Sequence, residues 1–100
     1  MSGGIESGRT SWPSAVELLR EWVAIPSVNP SFSTSPEWTG EARMAESLAA
    51  RLTALGGRVV LEPVFPGRPN VVARFAPPRP IRRTILLAPH LDTVGVGGMT

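Results

Sequence analysis

Eleven prolines punctuate this hundred-residue chain, and they cluster in connections rather than inside its periodic segments. Proline lacks a backbone donor and is poorly tolerated in helix interiors, so the helices are expected to run between the prolines. Pro13 suits the first turn of a helix, and Ser14 followed by Glu17 has the spacing of a capping box. Ala15, Leu18, Leu19, Trp22 and Ile25 recur on one face. That spacing predicts a helix over about 13–24, ended by Pro26, with Trp22 as a core anchor.

The serine- and proline-rich stretch 26–37 is long for a simple connection and reads as a functional or a mobile loop. A second helix is expected from about 36 or 40 to 55, with Met44, Ala45, Leu48, Leu52 and Leu55 as its apolar stripe. Gly56-Gly57 supplies its stop. Three short strands should follow. The first covers 58–64, with β-branched Val59 and Val60. The turn Phe65-Pro66-Gly67-Arg68 places Pro-Gly where a type II turn wants it. Such a short connection makes the second strand, about 70–75, run back antiparallel. The third covers 83–88, and its continuous apolar core, 85–88, suggests a central strand covered on both faces. The organisation is α/β: a loose lead-in at 1–12, then one domain over 13–100.

The sequence pI near 11.0 arises because all the basic residues are arginine and neither lysine, tyrosine nor cysteine is present, so a net charge of only +2 suffices. The arginines are scattered and not interleaved with aromatics, which argues against nucleic acid as a partner. Absence of cysteine fits the cytoplasm. The start does not read as a signal peptide, and no apolar run approaches the roughly 20 residues that cross a bilayer.

The chain's one histidine and one aspartate sit two residues apart, directly after the third apolar run, in Pro89-His90-Leu91-Asp92-Thr93. Ligands of open α/β sheets collect at the carboxyl ends of strands. On extended backbone, residues i and i+2 project to the same side, so His90 and Asp92 can face one pocket. A neutral imidazole is a good ligand for zinc or a similar divalent ion, and its second ring nitrogen then needs an acceptor. Asp92 can supply that acceptor or face the metal site itself. The plainer alternative is a polar strand end, with Asp92 capping the turn at 93–95.

In order along the chain stand Ile25-Pro26-Ser27-Val28-Asn29-Pro30, Leu55-Gly56-Gly57 before a valine-rich strand, Arg68-Pro69-Asn70-Val71-Val72-Ala73, and Leu86-Leu87-Ala88-Pro89-His90-Leu91-Asp92-Thr93-Val94. Together they resemble the M20 family of metallopeptidases and amidohydrolases, a likeness running from about Val16 to Thr100. The resemblance implies the N-terminal part of a three-layer α/β/α, zinc-exopeptidase-like catalytic domain with a mixed sheet. His90 would be a metal ligand and Asp92 the catalytic-site carboxylate that orients it. The complete site would hold two Zn2+ ions, with Co2+ or Mn2+ as substitutes. A metal-activated water would attack the amide of a small peptide or N-acyl amino acid, and the whole enzyme could be a homodimer. The bridging aspartate, glutamate pair, further acidic ligand and second histidine of that family are not in this chain. The resemblance places them beyond Thr100, which makes this chain a fragment inactive by itself.

A reading from a different class is a non-catalytic α/β module, or an inactive remnant, that offers a sheet edge to a protein partner. A serine hydrolase is excluded by the lack of a G-x-S-x-G elbow, and a phosphate loop by the lack of a lysine or helix after Gly95, Gly97 and Gly98.

Overall fold

The computed structural model describes residues 13–95. Helix α1, Ala15–Val23, begins at Ser14, whose Oγ accepts the Glu17 amide at 3.2 Å. The reciprocal half of the capping box differs from the expected pattern: the Glu17 carboxylate takes the Ser14 hydroxyl proton, also at 3.2 Å. Helix α2, Glu41–Ala54, ends on a Schellman motif, the Gly57 amide donating to the Leu52 carbonyl and the Gly56 amide to that of Thr53. Gly56 takes φ +93° there, a conformation that side chains with a Cβ avoid.

Strands β1, Arg58–Phe65, and β2, Arg68–Arg74, form an antiparallel hairpin around Pro66-Gly67. Gly67 has φ +73°, the sign that the second central residue of a type II turn requires. The register pairs Val59 with Ala73 and Val60 with Val72, and it shifts between Glu62 and Phe65. Side chains alternate across the pleat. Val59, Val71 and Ala73 are half-buried, whereas Val60 and Val72 are exposed. Helix α2 packs on both strands. Its N-terminal Glu41 is buried and accepts from Arg68 Nε at 2.7 Å, tying the start of β2 to the helix.

Helix α1 attaches to α2 through polar contacts. Trp22 Nε1 donates to Ser47 Oγ at 3.1 Å, and the Arg51 guanidinium grips the Glu21 carboxylate. That hydrogen bond holds the Glu21 carboxyl below its ordinary pKa. Trp22 is thus half-buried and bonded, and α1 contains no buried residue. The α2 stripe buries Met44 and Ala45, half-buries Leu48 and Leu52, and leaves Leu55 exposed.

One expectation needs correction. The fold is a mixed α/β arrangement of two helices and a two-stranded sheet, and the expected third strand at 83–88 is not formed among the described residues. Ile85, Leu86 and Leu87 are 83%, 85% and 84% exposed. A continuous apolar strand needs neighbours that satisfy its backbone groups, and neither β1 nor β2 pairs with it.

The stretch 26–37, read as a functional or a mobile loop, is irregular apart from single bridges and turns. Its later residues form turns, but its first residues are among the most deeply buried of the fold: Ser27 is 1% exposed and Val28 3%. Ser27 bridges Thr39 antiparallel, and Val28 bridges Thr93 in parallel. The Val28 amide donates to the Trp38 carbonyl at 2.8 Å. The lead-in expected over 1–12 lies outside the described residues.

Gly40 closes this arrangement. A Cβ there would fall well inside van der Waals contact with the Pro26 carbonyl oxygen and the Arg43 guanidinium. The arginine can swing away; the backbone carbonyl cannot move without dragging the buried segment after it. Gly40→Ala should therefore cost about 1–3 kcal/mol, the range for overpacking a fitted site. It should be read as faster hydrogen exchange at the Val28 amide; unchanged exchange would show that Pro26 yields freely.

Candidate functional site

The site is a small three-segment ladder. The central segment, 27–29, is held by 38–39 on one side and 91–93 on the other. The Thr93 amide donates to the Ser27 carbonyl at 2.9 Å, and the Asn29 amide to the Thr93 carbonyl at 2.9 Å. The prolines flanking this segment favour the shape: Pro30 biases Asn29 toward extended backbone.

His90 and Asp92 come together as their i, i+2 spacing predicts. His90 Nδ1 lies 2.8 Å from the Asp92 carbonyl oxygen and 3.1 Å from its Oδ1. Both are acceptors, an arrangement that suits a neutral ring with its proton on Nδ1 and its lone pair on Nε2. The His90 side chain is 84% exposed, so Nε2 is open to an incoming group.

Asp92 is engaged at both oxygens. Its Oδ2 accepts from Asn29 Nδ2 at 2.7 Å, while Oδ1 faces His90. The carboxyl is held below its ordinary pKa, chiefly by that Asn29 hydrogen bond. Partial desolvation opposes the shift, and its own backbone amide and His90 add to it. The carboxylate is therefore taken up by Asn29 and His90 rather than by the backbone of 93–95.

Two site residues escape single-residue reasoning. Asn29 and Ser27 lie about 60 positions from the histidine in sequence, yet both bond to its segment, Ser27 Oγ donating to the Leu91 carbonyl at 2.7 Å. The available signal was the proline-bracketed Pro26-Ser27-Val28-Asn29-Pro30, in which Ser27 and Asn29 project to one side of an extended segment.

Removing the hydroxyl in Ser27→Ala would orphan part of the hydrogen bonding at the Leu91 carbonyl, a loss of about 1 kcal/mol. Exchange of the Thr93 amide should quicken about fivefold. An unaltered rate would mean that the Ser27 hydroxyl contributes nothing to holding 91–93 in place.

Among the described residues no group of three or more histidine, cysteine, aspartate or glutamate side chains could hold a metal ion. His90 therefore offers one ligand position, with Asp92 behind it. No helix among the described residues is long and apolar enough to cross a membrane. The chain matches no protein-family model, no curated protein and no solved structure.

Proposed function

We propose that this chain is the N-terminal part of an M20-type, metal-dependent hydrolase that cleaves the amide bond of a small peptide or N-acyl amino acid. One observation carries the reading: His90 is bound at Nδ1 to Asp92 and open at Nε2. A histidine that ligates a metal through one nitrogen usually donates the other N–H to a carboxylate or a carbonyl, and here both acceptors come from one residue. The donor set fits one corner of a zinc site. Asp92, occupied at both oxygens, fits the orienting carboxylate rather than a second ligand.

Bound zinc, two ions per complete site, would lower the pKa of a water and polarise the amide carbonyl. The residues of this chain have a narrower task. His90 presents a lone pair in a set direction, Asp92 holds that direction, and the 27–29 segment holds Asp92. The proposed whole is a three-layer α/β/α domain in which 83–88 becomes a central strand once neighbours flank it. On the same reading it would work in the cytoplasm, with a second copy completing a homodimer.

The exposed run at 85–87 also suits the rival reading, a binding module that adds a partner's strand to its own backbone. Metal analysis and amide-hydrolysis assays on a protein carrying the rest of the catalytic domain decide between them. Stoichiometric zinc and turnover support the hydrolase; a folded protein with neither supports the module.

A further inference from the structure

We propose that Asn29 is a positioning residue for His90, acting through Asp92: its amide fixes the carboxylate that in turn fixes the imidazole. The relay rests on the metal reading only for its purpose, since its geometry is internal to this chain.

The His90 side chain is 84% exposed, so packing does little to orient it. Its orientation depends on the two acceptors of Asp92, the carbonyl oxygen at 2.8 Å and Oδ1 at 3.1 Å from Nδ1. The carbonyl is set by the ladder, but the carboxylate turns about a broad, roughly two-fold torsion. It needs a second anchor, and Asn29 Nδ2 supplies one at 2.7 Å from Oδ2.

Asn29 is itself over-determined. Its backbone amide donates to the Thr93 carbonyl at 2.9 Å, and its Oδ1 accepts the Ser31 amide at 2.8 Å. Because Oδ1 is committed to a donor, Nδ2 must be the end that faces Asp92, which settles the orientation of the amide. The ladder, Asn29, Asp92 and His90 thus form one continuous chain of hydrogen bonds from the buried segment to the exposed ring.

This chain has a single histidine, so one imidazole reports on the relay without ambiguity. The experiment is nitrogen NMR of the ring in the metal-free chain, kept dilute and at a pH where the imidazole is neutral. The parent should show the Nδ1–H tautomer as the major form. Asn29→Asp keeps the size and the acceptor for the Ser31 amide but cannot donate to Asp92. It should lose the Nδ1–H preference and move toward the tautomer mixture of a free imidazole, as Asp92→Asn should.

Asn29→Ala, which removes the side-chain amide and adds no charge, repeats the test should the aspartate disturb the ladder; exchange at the Val28 and Thr93 amides reports on that. A parent with no tautomer preference, or an Asn29→Ala variant that retains the parent's preference with the ladder intact, overturns the relay. The metal reading fails separately: a complete protein that binds no zinc would remove it while the tautomer shift still stood.

Discussion

On the proposed hydrolase reading, His90→Ala in a protein that extends past Thr100 to a complete domain should abolish tight metal binding at that position and reduce amide hydrolysis to background. Four-ligand zinc sites bind with about 10–16 kcal/mol in total, so an equal share is about 2.5–4 kcal/mol per ligand, on the order of 100-fold or more in affinity. Asp92→Asn keeps the shape and removes the charge behind the ring. Changes behind a ligand typically cost about 10–100-fold in metal affinity or activity, so this variant should retain metal but hold it less tightly. The order of the two effects matters as much as their size. Metal content by mass analysis and hydrolysis of an N-acyl amino acid give both readouts. Two tightly bound metals and normal turnover in His90→Ala would end the assignment. The hundred residues alone, with one ligand position, should bind zinc weakly, without defined stoichiometry, and hydrolyse nothing.

The second large effect concerns stability. By itself the chain should melt gradually and self-associate as its concentration rises. Its buried apolar side chains among the described residues are Val28, Met44 and Ala45, while Leu19, Val23, Val60, Phe65 and 85–87 stand exposed. A core that small offsets little of the chain entropy, and apolar surface on that scale invites association. Loss of structure should begin in α1, which holds to α2 through Trp22 and Glu21, and should reach the 27–29 ladder last. Calorimetry and sedimentation test this directly. A monomer with one sharp, cooperative transition would show that the exposed run at 85–87 needs no neighbours, and would count against both the central-strand proposal and the fragment reading.

Much of the local structure was legible in the residues because its causes are local. Ser14 and Glu17 mark the start of α1, Gly56-Gly57 the end of α2, and Pro66-Gly67 the reversal between β1 and β2. Each depends on a backbone preference expressed within a few residues. The approach of His90 to Asp92 belongs to the same class, since i, i+2 geometry on extended chain brings it about. The apolar run at 85–88 shows where local reasoning stops: hydrophobicity says that a segment wants covering, and only the presence of neighbouring strands decides whether it is covered.

What the tertiary structure alone decided is which distant groups meet. No periodicity in 26–37 announces that Ser27 and Val28 will be its deepest residues, because their burial comes from being clasped between 38–39 and 91–93. No motif pairs Asn29 with Asp92, which lie 63 positions apart; the parallel register of Val28 against Thr93 does so. The sequence by itself therefore determined the helices, the hairpin and the local histidine–aspartate pair, through backbone preferences and short-range spacing. The chain-distant contact that holds this pair in one orientation was decided by folding, because hydrogen-bond partners across a ladder are chosen by register and not by neighbourhood in sequence.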